Sequence, residues 1–346
     1  MYKEFIKLTI PNILTNLTVP LVSLVDVILM GHMESPNYIV AIGLSVAIFN
    51  FIYWAFGFLR MGTTGLVAQA FGRHDHQQAK QTLVQGIAIA LTAGVLLVLL
   101  QKPILLICES LLSVSNDSLG LIENYFDIRI IAAPVSVTIF VINGWLLGIQ
   151  RSNQALVLAV VINVINILVS YTLVEIVHLG IRGVAIGTVV AQVVGLMTGI
   201  YFIFREYDWS WLKLFNKGIL SITYSREFLN VNADLFIRTI CLLFALIFFK
   251  INAAEVNLIL GAANLLLVEF IGLSAYGVDG LAFSAEAISG KYFGARNKGQ
   301  LKKSIKVAFQ LGLLIGALGT AIFYLFGNGI LNLLTDQADV IAAANP

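Results

Sequence analysis

Charge is what this sequence has least of. Asp, Glu, Lys and Arg make up 12% of its 346 residues, while 59% are hydrophobic and the mean hydropathy is +0.91. A soluble domain carries about 25% charged residues, so there are too few here to cover a water-facing surface. The same numbers exclude a disordered chain, which needs low hydrophobicity. Neither sign dominates: 21 Lys and Arg against 19 Asp and Glu leave +2, without the basic footprint of a nucleic-acid binder. Cysteine is nearly absent, and Cys108 and Cys241 cannot build a disulfide framework. No Gly-rich loop ends in Lys-Ser/Thr, which disfavours an ATP-driven pump, and no HExxH or GxSxG motif marks a hydrolase.

What is present is long apolar runs. A membrane helix needs about 20 apolar residues, and nine stretches qualify, near 8–30, 39–60, 83–101, 128–149, 155–177, 183–204, 230–250, 257–281 and 307–327. They lack the ten-residue alternation of barrel strands. The N-terminus does not read as a signal peptide, because its apolar stretch is too long and broken by polar residues. The expectation is an all-α polytopic membrane protein. With the N-terminus placed in the cytoplasm, fifteen of the 21 basic residues fall in inner segments and three in outer loops, the bias that orients membrane proteins.

The chain also repeats itself. Phe71-Gly72-Arg73 followed by Gln78-Ala79-Lys80 aligns with Phe293-Gly294-Ala295 followed by Gln300-Leu301-Lys302, an offset of 222 residues that carries span 1 onto span 7. Six spans separate the copies, so both point the same way, a parallel repeat about an axis along the membrane normal. The expected organisation is a six-helix lobe over 1–204, a polar linker over 205–227 and a partial second lobe of about three helices over 228–346. Three spans against six leads to the expectation that the sequence is truncated or incomplete.

An acid in the bilayer centre costs about 2.5–3.5 kcal/mol on insertion scales, so each one needs a reason. Asp26 lies in span 1 on a stripe with Asn12, Thr15 and Ser23, in a helix that also holds Pro11 and Pro20. Proline removes a backbone donor and kinks a helix, so these two are candidate hinges. At 1.5 Å per residue, Asp26 lies roughly 27 Å along span 1 from its inner end, Ser170 roughly 22 Å along span 5, and Thr188 roughly 8 Å below the outer end of span 6. Asp26, Asn166, Ser170 and Thr188 then share a depth. Together they form an oxygen-rich cluster able to hold a proton or a hard cation such as Na⁺. Packing of a hydrogen-bonded Asp is the alternative.

Spans 7 and 8 carry Asp234, Arg238, Glu269 and Asp279. Asp234 and Arg238 are spaced for an intrahelical ion pair, and an Arg238–Asp279 pair is equally open. Either structure or coupling would account for this set. Asp127 and Arg129 read as an interfacial pair at the outer entry of span 4. His74-Asp75-His76 reads as a solvated loop. Gly183, Gly187, Ala191 and Gly195 suit close helix packing. Most of Phe49, Phe51, Tyr53, Trp54, Phe56 and Phe58 are expected to face lipid.

Several runs together resemble the MATE (multidrug and toxic compound extrusion) family, DinF-like branch. They are Pro20 to Asp26 with Gly31-His32 and Ser35 to Tyr38; Phe58 to Gly72; Ile128-Arg129, Ala133-Pro134 and Gly144 to Gln150; and Ala275 to Gly280 through Glu286-Ala287. The resemblance implies two lobes facing a central cavity and efflux of small organic-cation or amphipathic molecules driven by H⁺ or Na⁺. It implies no other cofactor and no enzyme activity. It also implies that Asp26 is the span-1 carboxylate, Pro11 the hinge, and Asn166 and Thr188 its polar partners. The family usually places a second Asp where this chain has Ser170, so the resemblance favours H⁺ over Na⁺. A monomer in a bacterial cytoplasmic membrane, N-terminus inside, completes the expectation. A lipid-linked oligosaccharide flippase and a non-transporting membrane protein are the alternatives. The flippase would need a basic cavity, for which only Arg60, Arg129 and Arg238 are available, all read as near membrane edges.

Overall fold

The computed structural model describes residues 1–33, 35–112, 115–207, 230–245, 248, 258–334 and 337–344. All regular structure among them is helical. In chain order the helices are α1 (Tyr2–Gly31), α2 (Asn37–Ala55), α3 (Gly57–Gly72), α4 (His76–Leu99), α5 (Gln101–Leu111), α6 (Asn116–Arg129), α7 (Ala133–Gly148), α8 (Ser152–Tyr171), α9 (Ile181–Tyr207), α10 (230–245), α11 (Leu258–Gly294), α12 (Lys298–Leu334) and α13 (Ala338–Ala344). Seven helices or joined pairs among the described residues are long and apolar enough to cross a bilayer, including α2–α3 and α6–α7 as single runs. Spans 7 and 8 and the 205–227 linker fall partly outside the described residues. The helix α5, cut off from α4 at Leu100 and holding Pro103, was not expected from the apolar pattern.

Local chemistry sets the boundaries. Asp75 caps α4 by accepting from Gln78 N at 2.9 Å, and Ser115 caps α6 by accepting from Ser118 N at 3.3 Å. The repeat is reproduced bond for bond where α3 turns into α4 and α11 into α12. His74 and its counterpart Arg296 are both left-handed, at φ 58° and 54°. Asn297 caps α12 through Gln300 N at 3.0 Å, as Asp75 caps α4. Asp75 N donates to Ala70 O at 2.9 Å, and Asn297 N to Tyr292 O at 3.1 Å.

The first bundle packs around α7, which lies against α3, α4 and α9. Trp145 on α7 is fully buried, donates from Nε1 to the Tyr207 hydroxyl at 3.0 Å and lies tilted against its ring, centroids 5.5 Å apart. The small residues of α9 serve the expected close packing. A Cβ at Gly183 would press on Leu173, one at Gly187 on Ser170 and one at Gly195 on Ile162. The aromatic expectation for α2–α3 is corrected. Only Phe51 and Trp54 are exposed, while Phe49 is fully buried and Tyr53, Phe56 and Phe58 pack onto the core. One turn separates Phe49 from Tyr53, so both fall on the inward face.

α1 runs unbroken through Pro11 and Pro20. Its first half lies on α11: Asn12 Nδ2 donates to Ser284 Oγ at 3.1 Å, and Asn16 Nδ2 to the Tyr276 carbonyl at 3.2 Å. Its second half, with Leu29 and Met30 in the apolar core shared with α2, α6 and α9, belongs to the first bundle.

Candidate functional site

Asp26 is turned into the first bundle and is 4% exposed. Asn166, Ser170 and Thr188 are equally buried. α8 and α9 run antiparallel through a π turn (Thr172–Ile176) and a bend at Gly180, whose φ of +56° suits glycine. That return lays Thr188 beside Asn166, whose Nδ2 donates to Thr188 Oγ1 at 3.0 Å, and the Thr188 hydroxyl donates on to Val184 O at 3.1 Å. Gly187 lets the helices approach until Ser170 sits against its Cα.

Buried polar atoms are normally paired. Here Asp26 Oδ1, Asn166 Oδ1 and Ser170 Oγ have no hydrogen-bond partner among the described residues. All three are oxygens, the donor chemistry that a proton or a hard cation meets. No described residue forms an ion pair with Asp26, and no group of three His, Cys, Asp or Glu is placed to hold a metal among the described residues.

Two neighbours were missed in the sequence. Tyr125 on α6 is fully buried, reaches Thr188 with its hydroxyl and lies within electrostatic reach of Asp26. Arg129 is not the interfacial group expected. Its Nη1 donates to the Tyr125 hydroxyl at 2.6 Å, its guanidinium stacks 4.6 Å from the Phe49 centroid, and its charge acts on Asp26. Asp127 points out instead and pairs with Lys102 at 3.6 Å. The signal was present in outline: Tyr125 and Arg129 are one turn apart, so an inward Tyr125 carries Arg129 inward with it.

Of the two expected pairings, the structure favours Arg238 with Asp279. Among the described residues Asp234 and Arg238 form no ion pair with each other. Arg238 lies instead within electrostatic reach of Asp279 and Glu286. The Glu269 side chain lies outside the described residues. Arg60 is turned inward: its guanidinium lies 3.5 Å over the Phe283 ring of α11, near Glu286 and Asp279. Asp234 and Glu286 line a cavity of about 320 Å³ with Met61, Leu66 and Gln69. Glu286 entered the sequence reading only as part of a motif. A lone acid late in a long apolar span, one turn from Phe283, was the available signal.

Fold and site thus define a polytopic helical membrane protein with a polar cluster buried inside its first bundle. The MatE family profile matches residues 11–172 and 258–346. The chain belongs to this family, whose members are transporters and not enzymes. It is 32% identical over 338 residues to DNA damage-inducible protein F of Escherichia coli K12, covering 96% of this chain and 72% of that protein. It is 23% identical to the probable multidrug resistance protein NorM of Thermotoga maritima, covering 98% and 73%. A crystal structure of MATE in the bent conformation superposes with TM-score 0.88 at 21% identity, covering 99% of this chain and 77% of that one. A MOP superfamily transporter from Pyrococcus furiosus superposes with TM-score 0.85 at 21% identity, covering 98% and 75%.

A carboxylate placed beside the orphaned oxygens changes what the cluster can hold. Ser170→Asp is expected to strengthen sodium dependence relative to the parent, since a hard cation gains most from a second carboxylate ligand. Uptake compared in sodium and choline media checks it, and equal indifference of both proteins to sodium refutes the geometry.

Proposed function

We propose that this protein exports small organic-cation or amphipathic molecules by proton-coupled antiport through alternating access, with Asp26 carrying the proton. The observation that supports it is the buried Asp26 carboxylate with an unpartnered oxygen, grouped with the unpartnered oxygens of Asn166 and Ser170. A charge in that setting has no structural use that an apolar residue would not serve at lower cost. A carboxylate held beside the Tyr125–Arg129 pair is placed to exchange a proton within the cluster.

In this reading Asp26 takes a proton from outside and releases it inside. Neutralisation relaxes the hold of Asp26 on the Tyr125–Arg129 pair, and α1 repacks about Pro11 and Pro20. That shifts the balance between two arrangements of the helices. With Ser170 in place of a second acid, a proton suits the cluster better than Na⁺, and no other cofactor is needed. For a neutral solute the energetics suffice: one charge through about 100 mV supplies about 2.3 kcal/mol, against about 1.4 kcal/mol for a tenfold gradient. A cation exchanged one for one with a proton moves no net charge and needs more drive, from the pH gradient or from further protons. The inferred setting is a bacterial cytoplasmic membrane with the N-terminus inside and the chain acting as a monomer. The flippase alternative gains nothing from Arg60 and Arg129 lying inside, because each already faces aromatic rings and acids.

The test is transport by the purified chain in proteoliposomes under an imposed proton gradient, an imposed sodium gradient, or neither. Accumulation of a fluorescent organic cation under the proton gradient alone is expected. Accumulation under sodium alone, or under neither, overturns proton coupling.

A further inference from the structure

The repeat offset pairs Ala68 with Gly290, Gln69 with Lys291 and Gly72 with Gly294. In the structure these six residues meet one another. A Cβ at Gly72 would overlap the Lys291 carbonyl oxygen and lie 2.7 Å from its carbon. A Cβ at Gly294 would overlap the Gln69 carbonyl oxygen and lie 2.7 Å from its carbon. Each contact is the image of the other under the repeat, as at a two-fold interface where i meets j and j meets i. Between them a Cβ at Gly290 would come 2.8 Å from Ala68 Cβ, so the local axis passes between this pair. The obstructing atoms are helix backbone, since Gln69 O accepts from Arg73 N at 3.1 Å and Lys291 O from Ala295 N at 3.0 Å. They cannot swing aside as a side chain would.

The surroundings are polar and partly solvated, unlike a permanent core. Glu4 accepts from Lys291 Nζ at 2.7 Å and from the Tyr292 hydroxyl at 2.9 Å, with the Lys291 and Glu4 side chains 30% and 25% exposed. Tyr2 bonds Gln310 beside them. Two smooth backbone surfaces interlock few side chains, so they can part and close again at little cost in repacking.

We propose that the Gly72–Gly294 crossing is a gate, closed in this structure, which seals one end of the seam between the repeat halves and is latched by Glu4 on Lys291 and Tyr292. The inference rests on alternating access, and its test is independent of proton coupling. The reporter is Ser284→Cys, a near-isosteric change at a fully buried seam position, in the full chain with Cys108→Ser and Cys241→Ser. Its labelling by a water-soluble maleimide is followed in detergent without any gradient. Gly72→Ala and Gly294→Ala are each expected to raise the labelling rate at least about tenfold, because overpacking a tight contact shifts the closed–open balance. The two effects should be equal, and the double variant should add little, because both break the same contact. Gly316→Ala, with nothing within 4 Å of its Cβ, should label as the parent does. Parent-like labelling in either alanine variant, or additive effects in the double, overturns the gate. Should the alanine variants lose helical circular dichroism, Glu4→Gln decides: it removes the latch charge without adding volume, labelling faster if the gate is real and at the parent rate if it is not.

Discussion

Asp26→Asn is expected to abolish accumulation driven by a proton gradient while leaving the protein folded and able to bind substrate. Asn keeps the shape of the side chain and removes the group that gains and loses a proton. One charge through about 100 mV is worth about 2.3 kcal/mol, which for a neutral solute is roughly a 50-fold accumulation ratio. That whole ratio should fall to the level of protein-free vesicles. Glu at the same position keeps the chemistry but adds a methylene that displaces the carboxylate in a closely packed site, so Asp26→Glu should retain partial function. Wild-type accumulation by the Asn variant would end the role given to Asp26, whatever the rest of the cluster does.

The second large effect is on stability. Trp145→Ala should lower the thermal midpoint in detergent by roughly 5–15 °C. Deleting a buried Trp costs about 3–5 kcal/mol, and about 1 kcal/mol moves the midpoint of a chain this size by a few degrees. Trp145 is fully buried and binds the Tyr207 hydroxyl. On either side of it, Gly144 and Gly148 bring α7 onto the α3 backbone at Arg60 and Ala68. Loss of the ring therefore loosens α9 and the seam helix α3 together. A shift below about 3 °C would mean that the bundle collapses into the cavity and that α7 is not its centre of packing.

Much of this was legible from the chain alone, for reasons that differ by element. Apolar runs of membrane length announce themselves, and a polar residue inside one stands out. Rise-per-residue arithmetic was therefore enough to bring Asn166 and Thr188 to one depth, where they share a hydrogen bond. The repeat was visible because turn chemistry is local: a left-handed residue followed by an Asx cap needs the same spacing in both copies. Side-chain direction was not legible. Arg129 near a span end can reach either to the interface or inward, and only the position of Tyr125 and Phe49 decides. Spacing also shows opportunity and not outcome. Asp234 and Arg238 sit one turn apart, yet they form no ion pair among the described residues, and Arg238 lies within electrostatic reach of Asp279 and Glu286 on another helix.

The division of α1 carries a mechanical consequence. Its early turns are bonded to α11 through Asn12 and Asn16, and its late turns bury Asp26 among α2, α6 and α8. Pro20 lies on the stretch that joins these two attachments and Pro11 directly before the first of them, and the Thr15 and Thr18 hydroxyls between bond to backbone carbonyls. A single rod is thereby clamped at both ends to different bodies and softened at mid-length. Any tug at the acid is delivered as torque on the far clamp, so spin labels near residues 8 and 28 should report one correlated bend and not two independent wobbles.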